Sequence, residues 1–378
     1  MRIGIEAQRI FRKNKHGMDY VVLEEIRELQ KIDTRNEYFV FVAPGNDRCL
    51  EDTQNVHILE IGGDFYPLWE QVTLLKAANE LNLDILHCTS NTAPIRCKIP
   101  LILTLHDIIF LESQDTSKMS MYQRMGRFYR QLVVPRIIKI SRQIITVSQF
   151  ERSNIISKLN VPEYRITTIY NGYNNKFKPV KDTNSVYKKY IDQSGYFFHF
   201  ANTEPRKNTQ GILTAYSNYL EKSNEKRKLL LTGISRDKLQ DYIKCNGIEK
   251  ASNRIVLTDY IPSNDLPFIY NNAFALIFAS FREGFGIPII EAMACGIPVI
   301  TSNVSSMPEV AGPDAILINP ERTDEITKSM LQLETDEIFY QEQKNIGLKR
   351  ATHFSWHYTA EQLLNLYESV YKRNALSK

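Results

Sequence analysis

Two carboxylates, Glu283 and Glu291, stand eight residues apart around the string Arg-Glu-Gly-Phe-Gly-Ile-Pro at 282–288. An apolar run of strand length, Phe274 to Ala279, leads into that string, and Gly284 and Gly286 permit a tight turn whose backbone can approach a ligand closely. Pro288 suits the first turn of a helix running to Cys295, Gly296 suits its C-cap, and Pro298 bars its continuation into a strand at Val299 to Thr301. The spacing predicts Glu283 at a strand end and Glu291 near the N-terminus of a short helix, where free amides and the positive dipole end favour an anion. Two carboxylates flanking an amide-rich turn fit a ligand that carries hydroxyls on both sides of a phosphate, because each carboxylate accepts hydrogen bonds from vicinal hydroxyls. The same residues equally fit a turn cap and a helix-dipole partner in an ordinary α/β connection.

Other residues could join such chemistry. Phe-Ala-Asn-Thr-Glu-Pro-Arg-Lys-Asn at 200–208 reads as a strand end followed by a helix start, with Arg206 and Lys207 at the junction. Two fixed cations beside free helix amides form a diphosphate clamp, and they also describe an exposed basic turn. Leu-Thr-Leu-His-Asp at 103–107 puts His106 and Asp107 at the end of another strand, as a reactive pair or as a structural imidazole and a turn cap. No Asp-x-Asp motif that could hold a divalent metal occurs, and neither a Gly-x-Gly-x-x-Gly after the first strand nor a Walker A string is present, which argues against a nicotinamide dehydrogenase or a P-loop enzyme.

The elements that must position these residues alternate between strand and helix. Strands are predicted at the opening Met-Arg-Ile-Gly-Ile-Glu and at 38–43, 56–61, 85–87, 101–105 and 143–147, then at 196–201, 228–232, 254–257, 274–279, 298–301 and 315–318, with a helix from Tyr20 to about Lys31. Such alternation implies parallel sheets covered on both faces, with ligands beyond the carboxyl ends of the strands. The expected class is therefore α/β with two Rossmann-like domains. Their expected boundaries are 1–178 and 179–358, joined by a linker at Asn174 to Thr183, and the segment from about Thr359 to Lys372, with Leu363, Leu364, Leu366, Tyr367, Val370 and Tyr371 on an apolar face, is expected as a last helix.

A chain of 378 residues suits two such domains, and 43% apolar with 24% charged residues is ordinary for a globular protein. Five scattered cysteines without a Cys-x-x-Cys pair indicate neither a disulfide framework nor zinc. The N-terminus lacks a signal-peptide core, so a cytoplasmic location is expected. A net charge of +4 and the lack of a nucleic-acid motif argue against a nucleic-acid partner. Thr116 to Phe150 carries Lys118, Arg124, Arg127, Arg130, Arg136, Lys139 and Arg142 and no Asp or Glu, with Met121, Met125, Phe128, Tyr129 and Leu132 interleaved. That pattern fits contact with an anionic membrane at the inner face of the cytoplasmic membrane, a solvated helix face, or a cradle for a phosphate-bearing acceptor.

Arg-Glu-Gly-Phe-Gly-Ile-Pro followed by Glu-Ala-Met-Ala-Cys-Gly-Ile-Pro-Val resembles the Glu-x7-Glu signature of the retaining GT-B glycosyltransferases of family 4. Glu-Pro-Arg-Lys-Asn at 204–208, Thr-Val-Ser-Gln-Phe at 146–150, Tyr-Asn-Gly-Tyr at 170–173, the segment 302–312 and Phe-Ser-Trp at 354–356 resemble further family motifs in the expected order. Two departures are Ala201, where the family usually has Gly, and Asn202, where some members have Arg. The resemblance implies that Glu283 contacts the transferred sugar, Glu291 holds the nucleotide ribose, Lys207 binds phosphate with Arg206 as a second cation, and His106 approaches the reacting centre with Asp107 orienting it. It also implies a GT-B fold whose two domains face across a cleft, with the last helix from about Thr359 returning to the first domain, that Gly17 lies in a glycine loop near the diphosphate, that Gly284, Phe285 and Gly286 belong to the donor site, and that 302–312 shapes the cleft. The implied reaction is metal-independent, cofactor-free transfer, with retention, from a GDP- or UDP-sugar to a saccharide or lipid-linked acceptor. The look is closest to bacterial mannosyltransferases of surface-polysaccharide synthesis. A sugar-nucleotide epimerase or hydrolase of the same fold, or an inactive partner subunit, are the alternatives.

Overall fold

The structure, a computed structural model, describes residues 1–63, 65–112, 121–181 and 185–376. Two compact units divide the chain: the first is Met1–Gly172 with Ser355–Lys378, and the second is Tyr173–Phe354. The division thus falls six residues before the expected position at 178, at the start of the Asn174 to Thr183 segment, whose last two residues lie outside the described residues.

In the first unit, strands β1 (Arg2–Glu6), β2 (Glu37–Val42), β3 (Val56–Glu60), β4 (Ile85–Cys88), β5 (Leu101–Thr104), β6 (Gln143–Thr146) and β7 (Ile166–Thr168) form one sheet in the order β3-β2-β1-β4-β5-β6-β7. Every neighbouring pair is parallel. Two apolar layers cover it: Ile3, Ile5, Val40 and Ile102 face one layer, and Phe41, Leu86, Leu103 and Ile144 face the other. This alternation is the period of two that sends successive side chains to opposite faces. β7 was not anticipated. It is three residues long and pairs only with β6, so it leaves no periodicity to read.

The second unit repeats the scheme with β8 (Tyr196–Phe200), β9 (Leu229–Thr232), β10 (Ile255–Thr258), β11 (Ala273–Phe278), β12 (Val299–Ser302) and β13 (Ile316–Ile318), ordered β10-β9-β8-β11-β12-β13 and all parallel. β1 and β8 therefore lie inside their sheets, flanked on both sides, and the order reverses beside them. Loops after the central strands open at that reversal, which is where α/β sheets hold ligands.

The last helix, Trp356–Ala375, belongs to the first unit. Ser355 caps it by accepting from the Tyr358 amide, and Ala360, Leu363, Leu366, Tyr367 and Val370 join the apolar layer of β1 and the first helix, Gly17–Ile32. Its seat is fixed by close approach: a Cβ on Gly172 would lie 2.2 Å from the Trp356 nitrogen, so only glycine fits there. Tyr367 and His87 meet in a 2.8 Å hydrogen bond, and the second imidazole nitrogen of His87 lies 2.7 Å from the Thr104 hydroxyl. Among the described residues, no helix is long and apolar enough to cross a membrane.

One buried acid is costly. Glu25, on the first helix, is 6% exposed, and burial pushes its carboxyl up to about 8. The folded chain then holds a proton that the unfolded chain loses above its ordinary value near 4.5, so stability falls as pH rises from about 4.5 to about 8. Glu25→Gln should therefore stabilise the fold on the order of 1–3 kcal/mol near neutral pH, with the gain shrinking toward zero at acid pH, in urea unfolding followed across that range. An equal effect at pH 4 and pH 8 would contradict the burial argument.

Candidate active site

At the carboxyl end of β11 the chain turns through Ala279–Gly286 and enters a helix at Ile287. Gly286 caps that helix at φ 111° and ψ 52°, a left-handed conformation that disfavours any side chain. Glu283 lies in the turn with only 7% exposure. Lys207 donates to its Oε1 at 2.6 Å, and Arg206 Nη1 to its Oε2 at 3.2 Å. Burial pushes this carboxyl up, but the Lys207 ammonium and the Arg206 guanidinium more than offset that and hold it below the usual glutamate range. Glu283 is thus an ionised, hydrogen-bonded carboxylate.

The cations come from a 3-10 turn, Pro205–Lys207, after β8. Asn208 ends it in the left-handed region at φ 55° and anchors it by donating to Ala279 O at 3.0 Å and Pro320 O at 2.8 Å. The Phe281 amide donates to Arg206 O at 2.7 Å, so the acidic and basic turns are stitched together by main chain. A helix, Thr209–Lys222, follows. Arg206 also bonds Glu204 at 2.6 Å and Arg282 O at 3.1 Å. The two cations of the predicted diphosphate clamp are therefore paired with Glu283.

The segment 302–312, expected only to shape a cleft, does more. Ser305 Oγ accepts from the Glu283 amide at 3.1 Å and contacts Glu283 O at 2.8 Å, while Ser306 Oγ donates to Glu283 O at 3.0 Å and Phe285 O at 2.9 Å. These two hydroxyls hold the backbone of the acidic turn from the adjacent strand end. The adjacent serines of Ser-Asn-Val-Ser-Ser were the available signal. Phe285 itself is buried and packs edge-on against Phe354 at 5.7 Å, so its side chain serves the core and only its backbone can meet a ligand.

Glu291 departs from its expected place. It is the fifth of eight residues in the helix Ile287–Ala294 and not in the first turn, so the free amides and dipole end do not explain it. Its Oε2 accepts from Tyr270 Oη at 3.0 Å. Burial pushes its carboxyl up to about 7, and Tyr270 and the Lys176 ammonium offset only part of that rise. Tyr270 was not identified from sequence, because it lies on the preceding helix, Leu266–Asn272, without a motif of its own.

In the first unit, His106 follows β5, is 7% exposed, and has a lowered pKa because burial disfavours its charged form. Its Nε2 lies 2.9 Å from Thr89 O, and its amide donates to Asn91 Oδ1 at 2.6 Å. A carbonyl only accepts, so Nε2 carries the proton of the neutral ring and Nδ1 keeps its lone pair. Asp107 does not orient the ring: its Oδ1 accepts from the Ile109 amide at 3.0 Å, capping the turn, and the orienting group is the Thr89 carbonyl. Gly17 is not in a loop but opens the first helix, which begins three residues earlier than expected because His16 and Asp19 form a capping box. A Cβ at Gly17 would meet nothing within 4 Å, leaving room for a ligand to approach its amide.

Comparison with known proteins gives this geometry a family. The model described as Glycosyltransferase Family 4 matches residues 16–177, and that described as Glycosyl transferases group 1 matches residues 183–350. The chain belongs to glycosyltransferase family 4. O-antigen chain mannosyltransferase B of Escherichia coli is 34% identical over 233 residues, which are 60% of this chain and 61% of that relative's length. Sucrose-phosphate synthase from Thermosynechococcus elongatus superposes with a TM-score of 0.76 at 16% identity, covering 98% of this chain and 99% of that one. Anabaena Alr3699/HepE in complex with UDP-glucose gives 0.74 at 16% identity, covering 98% and 100%. These neighbours share the GT-B fold of two Rossmann-like domains.

Removing one cation tests the ionised triad. Lys207→Met should lower stability by about 1–3 kcal/mol at pH 7, since a lowered carboxyl contributes stability above its unfolded pKa and loses it as pH falls through the folded one. The difference from wild type should shrink below about pH 4, in thermal unfolding across pH. A difference that stays constant from pH 7 to pH 3 would contradict the pairing.

Proposed function

We propose that this family 4 chain is a retaining hexosyltransferase that moves a sugar, with mannose as first choice, from a GDP- or UDP-sugar to a saccharide or lipid-linked saccharide acceptor in polysaccharide synthesis. The observation that carries the reading is the joining of Glu283 to Lys207 and Arg206 at one set of strand ends in the second unit. Support comes from the names of relatives: the E. coli protein is an O-antigen chain mannosyltransferase, and the Anabaena structure holds UDP-glucose.

In this reading the donor enters by exchange of partners. Its diphosphate takes Lys207 and Arg206 from Glu283, with further amides at Gly17 and Gly284 to Gly286, and the freed Glu283 carboxylate accepts hydrogen bonds from sugar hydroxyls. Glu291 accepts from the ribose hydroxyls. The bond from the anomeric carbon to the diphosphate oxygen then breaks while the acceptor oxygen bonds to the same face, and the leaving diphosphate takes the acceptor proton. Lys207 and Arg206 stabilise the charge that develops, so the proposed step needs no divalent metal. His106 approaches the transferred sugar with Nδ1 as an acceptor. We further propose contact with an anionic membrane through the helix Met121–Ile140, on which Met121, Met125, Phe128 and Leu132 form an exposed stripe beside Arg124 and Arg136, at i, i+4, i+7 and i+11. Lys118 of the same basic run lies outside the described residues.

Several measurements bear on this. Glu291→Ala should weaken donor-nucleotide binding about 10- to 100-fold, whereas Glu283→Ala and His106→Ala should lower kcat by a similar factor with a smaller change in KM. With a carboxyl near 7, Glu291 should also make nucleotide affinity rise as pH increases through 7, because the carboxylate accepts hydroxyl protons better than the acid, and Glu291→Gln should flatten that profile. Wild-type affinity in Glu291→Ala would remove the ribose role. Incubation of donor alone separates the alternative, since an epimerase or hydrolase consumes it and a transferase leaves it nearly unchanged.

A further inference from the structure

A depression of about 350 Å³ in the first unit lies at the opposite end of the sheet from His106. It is lined by Lys139, Ser141 and Arg142 just before β6, by Tyr164 and Arg165 just before β7, and by Arg373 on the last helix. His106 follows the far end of β5, roughly 13 Å along the strands for four residues of sheet. The donor chemistry proposed above has no part in this pocket, and the inference does not depend on it.

Four cations and, among the described residues, no carboxylate line the depression. Collecting like charges costs free energy unless an anion joins them, and a concave low-dielectric wall raises the field further. Two of the cations are anchored by hydrogen bonds. Arg165 donates to the carbonyls of Ile138 and Ser141 at the end of the helix Met121–Ile140, and Arg373 Nη2 donates to Gln143 Oε1 at 3.1 Å. These bonds fix guanidinium positions, and those of Arg165 go to uncharged carbonyl oxygens. Lys139 and Arg142 are exposed, and the Tyr164 ring, 74% exposed, stands at the rim with a phenol that can donate.

We propose that this pocket binds a phosphate-bearing group. Guanidinium forks match phosphate oxygens bidentately, several cations answer a multiply charged anion better than a single carboxylate, and the volume admits a phosphate ester or a diphosphate. A lipid headgroup and a free phosphate compound share that chemistry.

The test uses the full chain in three forms: wild type, Lys139→Ala/Arg142→Ala and Lys207→Ala. Calorimetric titration with inorganic pyrophosphate should find two sites on wild type, one weakened at least about 10-fold in the double variant and the other in Lys207→Ala. Arg142→Lys should keep most of the binding, and unchanged unfolding curves should show that the substituted residues, both exposed, leave the fold intact. Sedimentation with phosphatidylglycerol vesicles, against phosphatidylcholine vesicles, then separates the sources. A several-fold loss of phosphatidylglycerol binding in the double variant assigns a lipid headgroup, and lost pyrophosphate binding with unchanged vesicle binding assigns a free phosphate. Wild-type pyrophosphate and vesicle binding in the double variant would overturn the pocket, whatever Lys207→Ala does, whereas retention in Lys207→Ala alone would count only against the donor clamp.

Discussion

The pairing of Glu283 with Lys207 and Arg206 is the constraint around which the second unit is organised. An ionised carboxylate with 7% exposure is expensive unless cations and hydrogen bonds surround it, and here both are supplied from neighbouring strand ends. Meeting that requirement explains Asn208 in its left-handed turn, the Phe281 to Arg206 main-chain bond, and the Ser305 and Ser306 hydroxyls on the Glu283 backbone. In the proposed reading a diphosphate takes the cations and sugar hydroxyls supply the carboxylate with new donors, so that a sugar nucleotide replaces the internal pair without leaving any charge bare.

Glu291 and His106 use burial in the opposite sense. Neither has an ion partner of the Glu283 kind, and burial favours the neutral form of both, raising the carboxyl to about 7 and lowering the imidazole. In the proposed reading the neutral His106 ring accepts at Nδ1, and Glu291 accepts best once its carboxyl has ionised. The Thr89 carbonyl sets the His106 tautomer, and the Tyr270 hydroxyl aims Glu291. Family membership and the GT-B fold are shown, while the residue roles, donor, acceptor and stereochemistry belong to the proposal.

Strands buried on both faces were legible because they are continuous apolar runs bounded by polar turns, as at Phe197–Phe198 or Leu229–Leu231. β7 was not, since a three-residue edge strand has too few residues for a pattern. The triad was legible in parts: Glu283, Arg206 and Lys207 each sat at a predicted strand end, but their mutual contact depends on β8 lying beside β11, which is a matter of topology. Asp107 misled because a carboxylate next to a histidine looks like an orienter, whereas its position after a strand favours capping the next turn. Thr89, Ser305, Ser306 and Tyr270 act through main-chain or single hydroxyl contacts, and such contacts impose little on local sequence. Glu291 was expected near a helix N-terminus, but its helix begins at Ile287, one turn earlier than an end-of-helix role would need.

The most direct measurement is a crystal structure of the full chain with a nucleoside diphosphate, GDP and UDP each being tried. The account predicts the diphosphate within hydrogen-bond distance of Lys207, the ribose hydroxyls donating to Glu291, and the Lys207–Glu283 pair opened. A nucleotide bound elsewhere, with that ion pair intact and Glu291 still bonded only to Tyr270, would contradict it.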